Sequence, residues 1–217
     1  MIEIKNLSKK YPKTQVFSAF NLNVKKGKIT CILGESGSGK TTLLNILAGL
    51  TDYEGEVNAP PCSYVFQKPN LFPNLTAKQN LTLVCRDEDM VNGMAEELGI
   101  KDKLNSYPKH VSGGQAQRVA LARGLLFDRE LLLLDEPFAN LDLGLKFHLI
   151  DKVKKLHEQK GNTIIAVTHD VQEALALADR IILLDSGRIV FDTESITNDT
   201  KDELIAILTA KYKGDRV

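Results

Sequence analysis

The sequence lacks the features that mark membrane, secreted and nucleic-acid-binding chains. No apolar run approaches the ~20 residues that a bilayer-spanning helix needs. The longest, such as Leu131-Leu132-Leu133-Leu134, are strand-sized. The opening residues Met1-Ile2-Glu3-Ile4-Lys5-Asn6 have no apolar core and do not read as a signal peptide. A soluble chain is expected, with any membrane role reached through partners. Net charge is zero, with 28 Lys and Arg against 28 Asp and Glu. Non-specific nucleic-acid binding draws on a basic surface, so no nucleic acid is expected as a partner. Cysteine is scarce: Cys31, Cys62 and Cys85 show neither CxxC nor metal-ligand spacing. An odd number without a secretion signal reads as reduced, cytosolic and space-filling. Internal repeats and low-complexity tracts are absent too.

What is present is a patterned globular chain. At 217 residues with 43% hydrophobic content, it makes one large domain or two small ones with a real core. Strand-like apolar runs alternate with helical patterns, which points to α/β with a mostly parallel sheet. Ile29-Thr30-Cys31-Ile32-Leu33 reads as a strand and residues 41–50 as a helix. Further strands are expected at 131–135, 163–168, 180–184 and 188–191, the last two joined by a tight turn at Asp185-Ser186-Gly187. Helices are expected at 143–159, 171–178 and 200–210. The stretch 68–127 differs: Pro69, Pro73 and Pro108 interrupt helical patterns, and strand signals are few. It reads as a helical subdomain inserted into a core of residues 1–67 and 128–217.

Between the first strand and its helix lies Gly34-Glu35-Ser36-Gly37-Ser38-Gly39-Lys40-Thr41, a GxxxxGK[ST] phosphate loop in the required context. Its glycines let backbone N–H groups turn inward as an anion nest, and the helix N-terminus adds its dipole. Lys40 is expected on the β- and γ-phosphates of ATP and Thr41 on Mg2+, with Thr42 beside it. The run 131–134 ends in Asp135, an acid at the mouth of a buried strand, where such folds bind ligands. Asp135 is expected to hold Mg2+, and Glu136 to act as general base toward the attacking water. Ser112-Gly113-Gly114-Gln115 is a capping-box pattern that opens a helix over about 115–127. By itself such a box only starts a helix.

Together these motifs resemble the ATP-binding subunit of ABC transporters, of the bacterial importer type by subunit organisation, and the resemblance covers nearly the whole chain. It implies an α/β P-loop NTPase (RecA-like) core, mostly parallel, with an N-terminal antiparallel β portion and the helical insert. It implies that Tyr11 stacks on adenine. Gln67, ending Tyr64-Val65-Phe66-Gln67, would meet metal and attacking water and sense the membrane subunit. Asn140-Leu141-Asp142 matches the D-loop, with Asp142 at the dimer contact; read alone, it is an Asp near a helix start. His169 in Thr168-His169-Asp170 matches the switch histidine on the γ-phosphate. Ser112 to Gln115 would close over ATP held by a second subunit, so that two cassettes pair head to tail around two ATP.

The partners implied are transmembrane permease subunits, a second cassette, with a homodimer expected, and an extracytoplasmic solute-binding protein acting through the permease. The place implied is the inner face of the cell membrane. The surface from Gln67 to about Gln79 would receive a permease helix. Val111 and Gly124 depart mildly from the family's usual leucine and alanine, and residues 56–63 form a shorter arm than usual. No regulatory domain is expected after the cassette. A soluble ABC ATPase of DNA repair or translation is the alternative, but a second cassette, a coiled-coil or zinc insertion and a basic linker are all missing. A phosphate-loop GTPase would need an NKxD motif, which the sequence lacks.

Overall fold

Along the first strand the buried apolar residues run Ile2, Ile4, then Leu7, so the two-residue period slips. A strand keeps one face on the core through such a slip only by inserting an extra residue. The structure does so with a register shift between Ile4 and Leu7, where Asn6 takes φ 50°. The same slip from Phe17 to Phe20 coincides with Ala19 at φ 50°. Asn21 Oδ1 accepts from the Asn6 N–H at 2.9 Å and Ser8 Oγ from the Ala19 N–H at 3.1 Å, so the displaced donors are satisfied.

This computed structural model describes residues 1–139 and 141–214; Asn140 of the expected D-loop triplet lies outside them. The chain forms two compact units, Met1–Ala59 with Ile165–Val217, and Pro60–Ile164. The second takes in the whole 68–127 stretch and, beyond it, two strands and a long helix.

In the first unit, β1 (Ile2–Tyr11), β2 (Thr14–Val24) and β4 (Glu54–Asn58) form an antiparallel sheet in the order β2-β1-β4. The short arm therefore still supplies a strand, paired to β1 from Glu3↔Asn58 to Ser8↔Glu54. The α/β part comprises β3 (Ile29–Leu33), α1 (Lys40–Leu47), β7 (Thr163–Thr168) from Ile165 on, α6 (Val171–Leu177), β8 (Arg180–Asp185), β9 (Arg188–Thr193) and α7 (Asn198–Gly214). Strands follow the order β7-β3-β8-β9, with β3 parallel to β8 and β9 antiparallel to it. Ser186 (φ 48°) and Gly187 (φ 73°) make the left-handed pair that a two-residue hairpin demands. All five residues of β3 and all six of β7 are buried, which is why both read as unbroken apolar runs.

In the second unit, β5 (Cys62–Val65) runs parallel to β6 (Leu131–Asp135). Three helices, α2 (Ala77–Thr82), α3 (Glu88–Glu97) and α4 (Gly113–Leu126), fill the stretch between them, and no strand occurs there among the described residues. The helix α5 (Leu143–Lys160) ends on Gly161 at φ 63°, a left-handed cap. Cys31, Cys62 and Cys85 form no disulfide.

Candidate functional site

In the first unit, β3 delivers the chain to a loop that only glycine can form. A Cβ on Gly34 would lie 2.4 Å from the Leu184 carbonyl oxygen and 2.6 Å from Ser38 Oγ. Gly39 sits at φ 109° as the N-cap of α1, and a Cβ there would lie 2.9 Å from the Phe17 ring. Between them Ser36 and Gly37 are exposed and Glu35 is half-buried. Lys40, only 6% exposed, folds back over its own loop and donates to the carbonyls of Gly34 at 2.7 Å and Glu35 at 2.9 Å. Ser38 Oγ is buried and has no hydrogen-bond partner among the described residues. A buried hydroxyl without a partner is uncommon and calls for a ligand. A lysine ammonium that donates to loop carbonyls can exchange them for the oxygens of an anion. The loop therefore fits a polyphosphate. Thr41 and Thr42 follow in the first turn of α1, Thr41 exposed.

His169 lies in the same unit, exposed between β7 and α6. Its neighbours hold the backbone. Thr168 Oγ1 accepts from the Asp170 N–H at 3.0 Å and donates to buried Glu173 Oε2 at 2.6 Å. Asp170 caps α6 by accepting from the N–H groups of Gln172 and Glu173. Tyr11 ends β1 and is 39% exposed.

In the second unit, β6 is buried throughout and ends in Asp135, which is 2% exposed. The Tyr64 hydroxyl donates to Asp135 Oδ2 at 3.3 Å. Burial, reinforced by the Asp135 charge, pushes the Tyr64 phenol far up, so it stays a donor at any working pH. At Glu136 the backbone turns into the left-handed region, φ 45°, which a non-glycine residue enters only where its surroundings impose it. The turn takes the carboxylate off the strand line, and Gln67 Nε2 donates to Glu136 Oε2 at 3.2 Å. The structure thus brings together Gln67, Glu136 and, next in the chain, Asp135.

The Ser112 box forms as its spacing demands. Ser112 Oγ accepts from the Gln115 N–H at 3.2 Å, and Gln115 Oε1 from the Ser112 N–H at 2.9 Å. Ser112 and Gly113 are exposed, while Gly114 and Gln115 are half-buried. Gln117, two residues on and 6% exposed, donates to the carbonyl of Phe66 at 3.4 Å and so ties α4 to the residue before Gln67. Asp142 is the N-cap of α5, accepting from the Leu145 N–H at 3.0 Å, and its side is exposed. The loop after Gln67 is stapled by buried Asn80, which accepts from the Phe72 N–H and donates to the carbonyls of Phe72, Leu75 and Thr76. Arg123 adds a bond to Asn70 O at 3.0 Å, and Phe72 itself stands 54% exposed.

Tyr64 and Gln117 escape a sequence reading. Their partners are distant in the chain, and the only signal is a polar group on a buried face. Among the described residues no group of three or more His, Cys, Asp or Glu could hold a metal by itself. The residues the sequence assigns to Mg2+, Thr41, Gln67 and Asp135, offer a hydroxyl, an amide and a carboxylate, oxygen donors of the kind that cation takes beside phosphate oxygens.

A family profile described as ABC transporter matches residues 17–139. The chain is 44% identical over 198 residues to the aliphatic sulfonates import ATP-binding protein SsuB 1 of Paracoccus denitrificans, covering 88% of this chain and 82% of that protein. It is 41% identical over 191 residues to the thiamine import ATP-binding protein ThiQ of Haemophilus influenzae, covering 78% and 89%. Among solved structures, the ATP-binding cassette MJ0796, a dimer in a post-hydrolysis state bound to ADP and Pi, superposes with a TM-score of 0.82 at 31% identity, covering 89% of this chain and 98% of that one. No helix among the described residues is long and apolar enough to cross a membrane. The mostly parallel P-loop NTPase fold, its glycine loop and its capped Ser112 helix agree with these likenesses, and the chain belongs to the ABC transporter family.

Proposed function

We propose that this chain is the ATP-hydrolysing subunit of an importer, which pairs head to tail with a second copy and drives a membrane permease. The observation that carries this reading is the Gln67–Glu136 contact at the left-handed end of β6, beside buried Asp135. An acid and an amide in contact there support the reading that a water is held and deprotonated between them. The named relatives are import ATP-binding proteins, which supports import and gives no support to a role in DNA repair or translation.

On this reading Lys40 leaves the Gly34 and Glu35 carbonyls for the β- and γ-phosphates, and the loop N–H groups and Ser38 hydroxyl take the remaining oxygens. Thr41, Gln67 and Asp135 would hold Mg2+, which when bound neutralises phosphate charge. Glu136 accepts a proton from water as its oxygen attacks the γ-phosphorus. The bond to the bridging oxygen breaks, and ADP leaves with the electron pair. His169 steadies the γ-phosphate, and Tyr11 stacks on the adenine. Ser112 to Gln115 close over the nucleotide of the facing subunit, with Asp142 at that contact. Because the γ-phosphate bridges both halves, ATP favours closure and hydrolysis releases it. The stapled loop bearing Phe72 receives the permease at the inner face of the cytoplasmic membrane, and a solute-binding protein delivers cargo from the other side.

Glu136→Gln tests the assignment. The variant keeps its hydrogen-bonding shape but cannot accept the proton, so ATP turnover falls by about 10²–10⁴-fold while binding persists. An ATP-dependent dimer then accumulates on size exclusion. Unchanged turnover would remove Glu136 from the role of base.

A further inference from the structure

The first unit holds a charged side chain that the mechanism does not use. Lys9 is buried, its side chain 5% exposed, although burying an ammonium is costly unless it is paired. Its partner, Asp52, is 97% exposed and accepts from Lys9 Nζ at 2.8 Å. Lys9 draws the Asp52 carboxyl below its usual range, chiefly through this bond. The ammonium also lies over the ring of Tyr11, 4.8 Å from its centroid. A cavity of about 290 Å3, lined by Lys9, Gln15, Asp52 and Tyr53 among others, borders it. Close packing therefore does not fix the ammonium. Asp52 and the Tyr11 ring do.

Lys9 and Tyr11 are two apart on β1, and the approach of the ammonium to the ring puts both side chains on the same side of the strand. Tyr11 closes the hairpin ladder opposite Thr14 and is 39% exposed. A ring in that position has few neighbours to hold its plane. A cation within ~6 Å of the centroid holds it electrostatically and occupies one face. The cation also draws π density toward itself. That lessens the repulsion a second π system meets on the opposite face.

We infer that Lys9 is a positioning residue for the nucleotide base: paired with Asp52, it backs the Tyr11 ring and leaves the other face to a purine. This rests on the reading of Tyr11 as the residue that stacks on adenine. It assigns Lys9 and Asp52 to base recognition and leaves the phosphates to the glycine loop.

The test compares ATP with inorganic tripolyphosphate, which carries the phosphates without a base. Both are titrated calorimetrically, with Mg2+, into the full chain and into Lys9→Met, Lys9→Arg, Asp52→Asn and Tyr11→Ala. Lys9→Met is expected to raise the Kd for ATP about two- to fivefold and leave that for tripolyphosphate unmoved. Lys9→Arg, which keeps the cation on the ring, retains ATP affinity. Asp52→Asn moves ATP affinity in the direction of Lys9→Met. In a Tyr11→Ala background, Lys9→Met has no further effect. An equal rise for both ligands would make Lys9 a fold-stabilising residue and overturn the inference. So would a Tyr11→Ala loss of ATP affinity with Lys9→Met unchanged. If Tyr11→Ala itself leaves the ATP Kd unchanged, the stacking reading falls and the inference with it.

Discussion

Replacing Gly124 by alanine is a sharp test of how the second unit is packed. Alanine is the residue the family usually carries there, and in a helix interior it is favoured over glycine by ~1 kcal/mol. Gly124 lies within α4. On propensity alone the substitution stabilises. The structure reverses the sign, because a Cβ at 124 would lie 2.3 Å from Val65 Cγ2. Carbons in contact sit ~3.5–4.0 Å apart.

Neither side yields easily. Val65 is 2% exposed, and a β-branched side chain has few χ1 choices. Its backbone is paired with Leu134 in the β5–β6 ladder, and Ser63 Oγ donates to the Gly124 carbonyl at 2.9 Å, fixing helix to strand. Overpacking of this kind costs ~1–3 kcal/mol. Set against the propensity gain, Gly124→Ala destabilises by up to about 2 kcal/mol net. Urea unfolding should show a lower midpoint with an unchanged m-value. Val65→Ala alone opens a cavity and also destabilises. Together the two changes should cost less than their sum, by ~1–3 kcal/mol, since the new methyl occupies the space vacated. A raised midpoint for Gly124→Ala, or strict additivity in the pair, would refute the packing argument.

Three further outcomes follow from the second unit. Ser112→Arg keeps ATP binding within one subunit but places a bulky cation at the exposed α4 cap, so ATP-dependent dimerisation and turnover collapse together; normal turnover in the purified variant would refute the cross-subunit clamp. Tyr64→Phe removes the donor to Asp135, and the Mg2+ concentration for half-maximal ATPase should rise about three- to tenfold, the net weight of an ordinary hydrogen bond; an unchanged Mg2+ dependence would leave Tyr64 a packing residue. Burial pushes the Cys62 thiol above its ordinary range, which lowers its thiolate fraction at every pH below that value. Iodoacetamide at mildly alkaline pH should therefore label Cys62 more slowly in the folded chain than in urea, and equal rates by mass spectrometry would contradict the burial.

Legibility in the sequence tracked the distance over which each interaction acts. The glycine loop and the Ser112 box are complete within a few residues, so spacing alone carries their geometry: Gly39 takes its left-handed φ at the start of α1, and the Ser112 box forms both its bonds. Buried strands β3, β6 and β7 are likewise legible, since burial on both faces leaves an unbroken apolar run. In β1 and β2 the bulges at Asn6 and Ala19 break the period that a strand reading counts on. The segments of the candidate site that stayed hidden are pairings across the chain. Tyr64 with Asp135, Gln117 with Phe66 and Lys9 with Asp52 each join residues that no local pattern links. Gly124 shows why a departure from a family pattern is incomplete information taken singly. Its missing methyl is matched by a branched Val65 that fills the space, so the informative unit is the pair, and a change at one position has a sign only once the other is known.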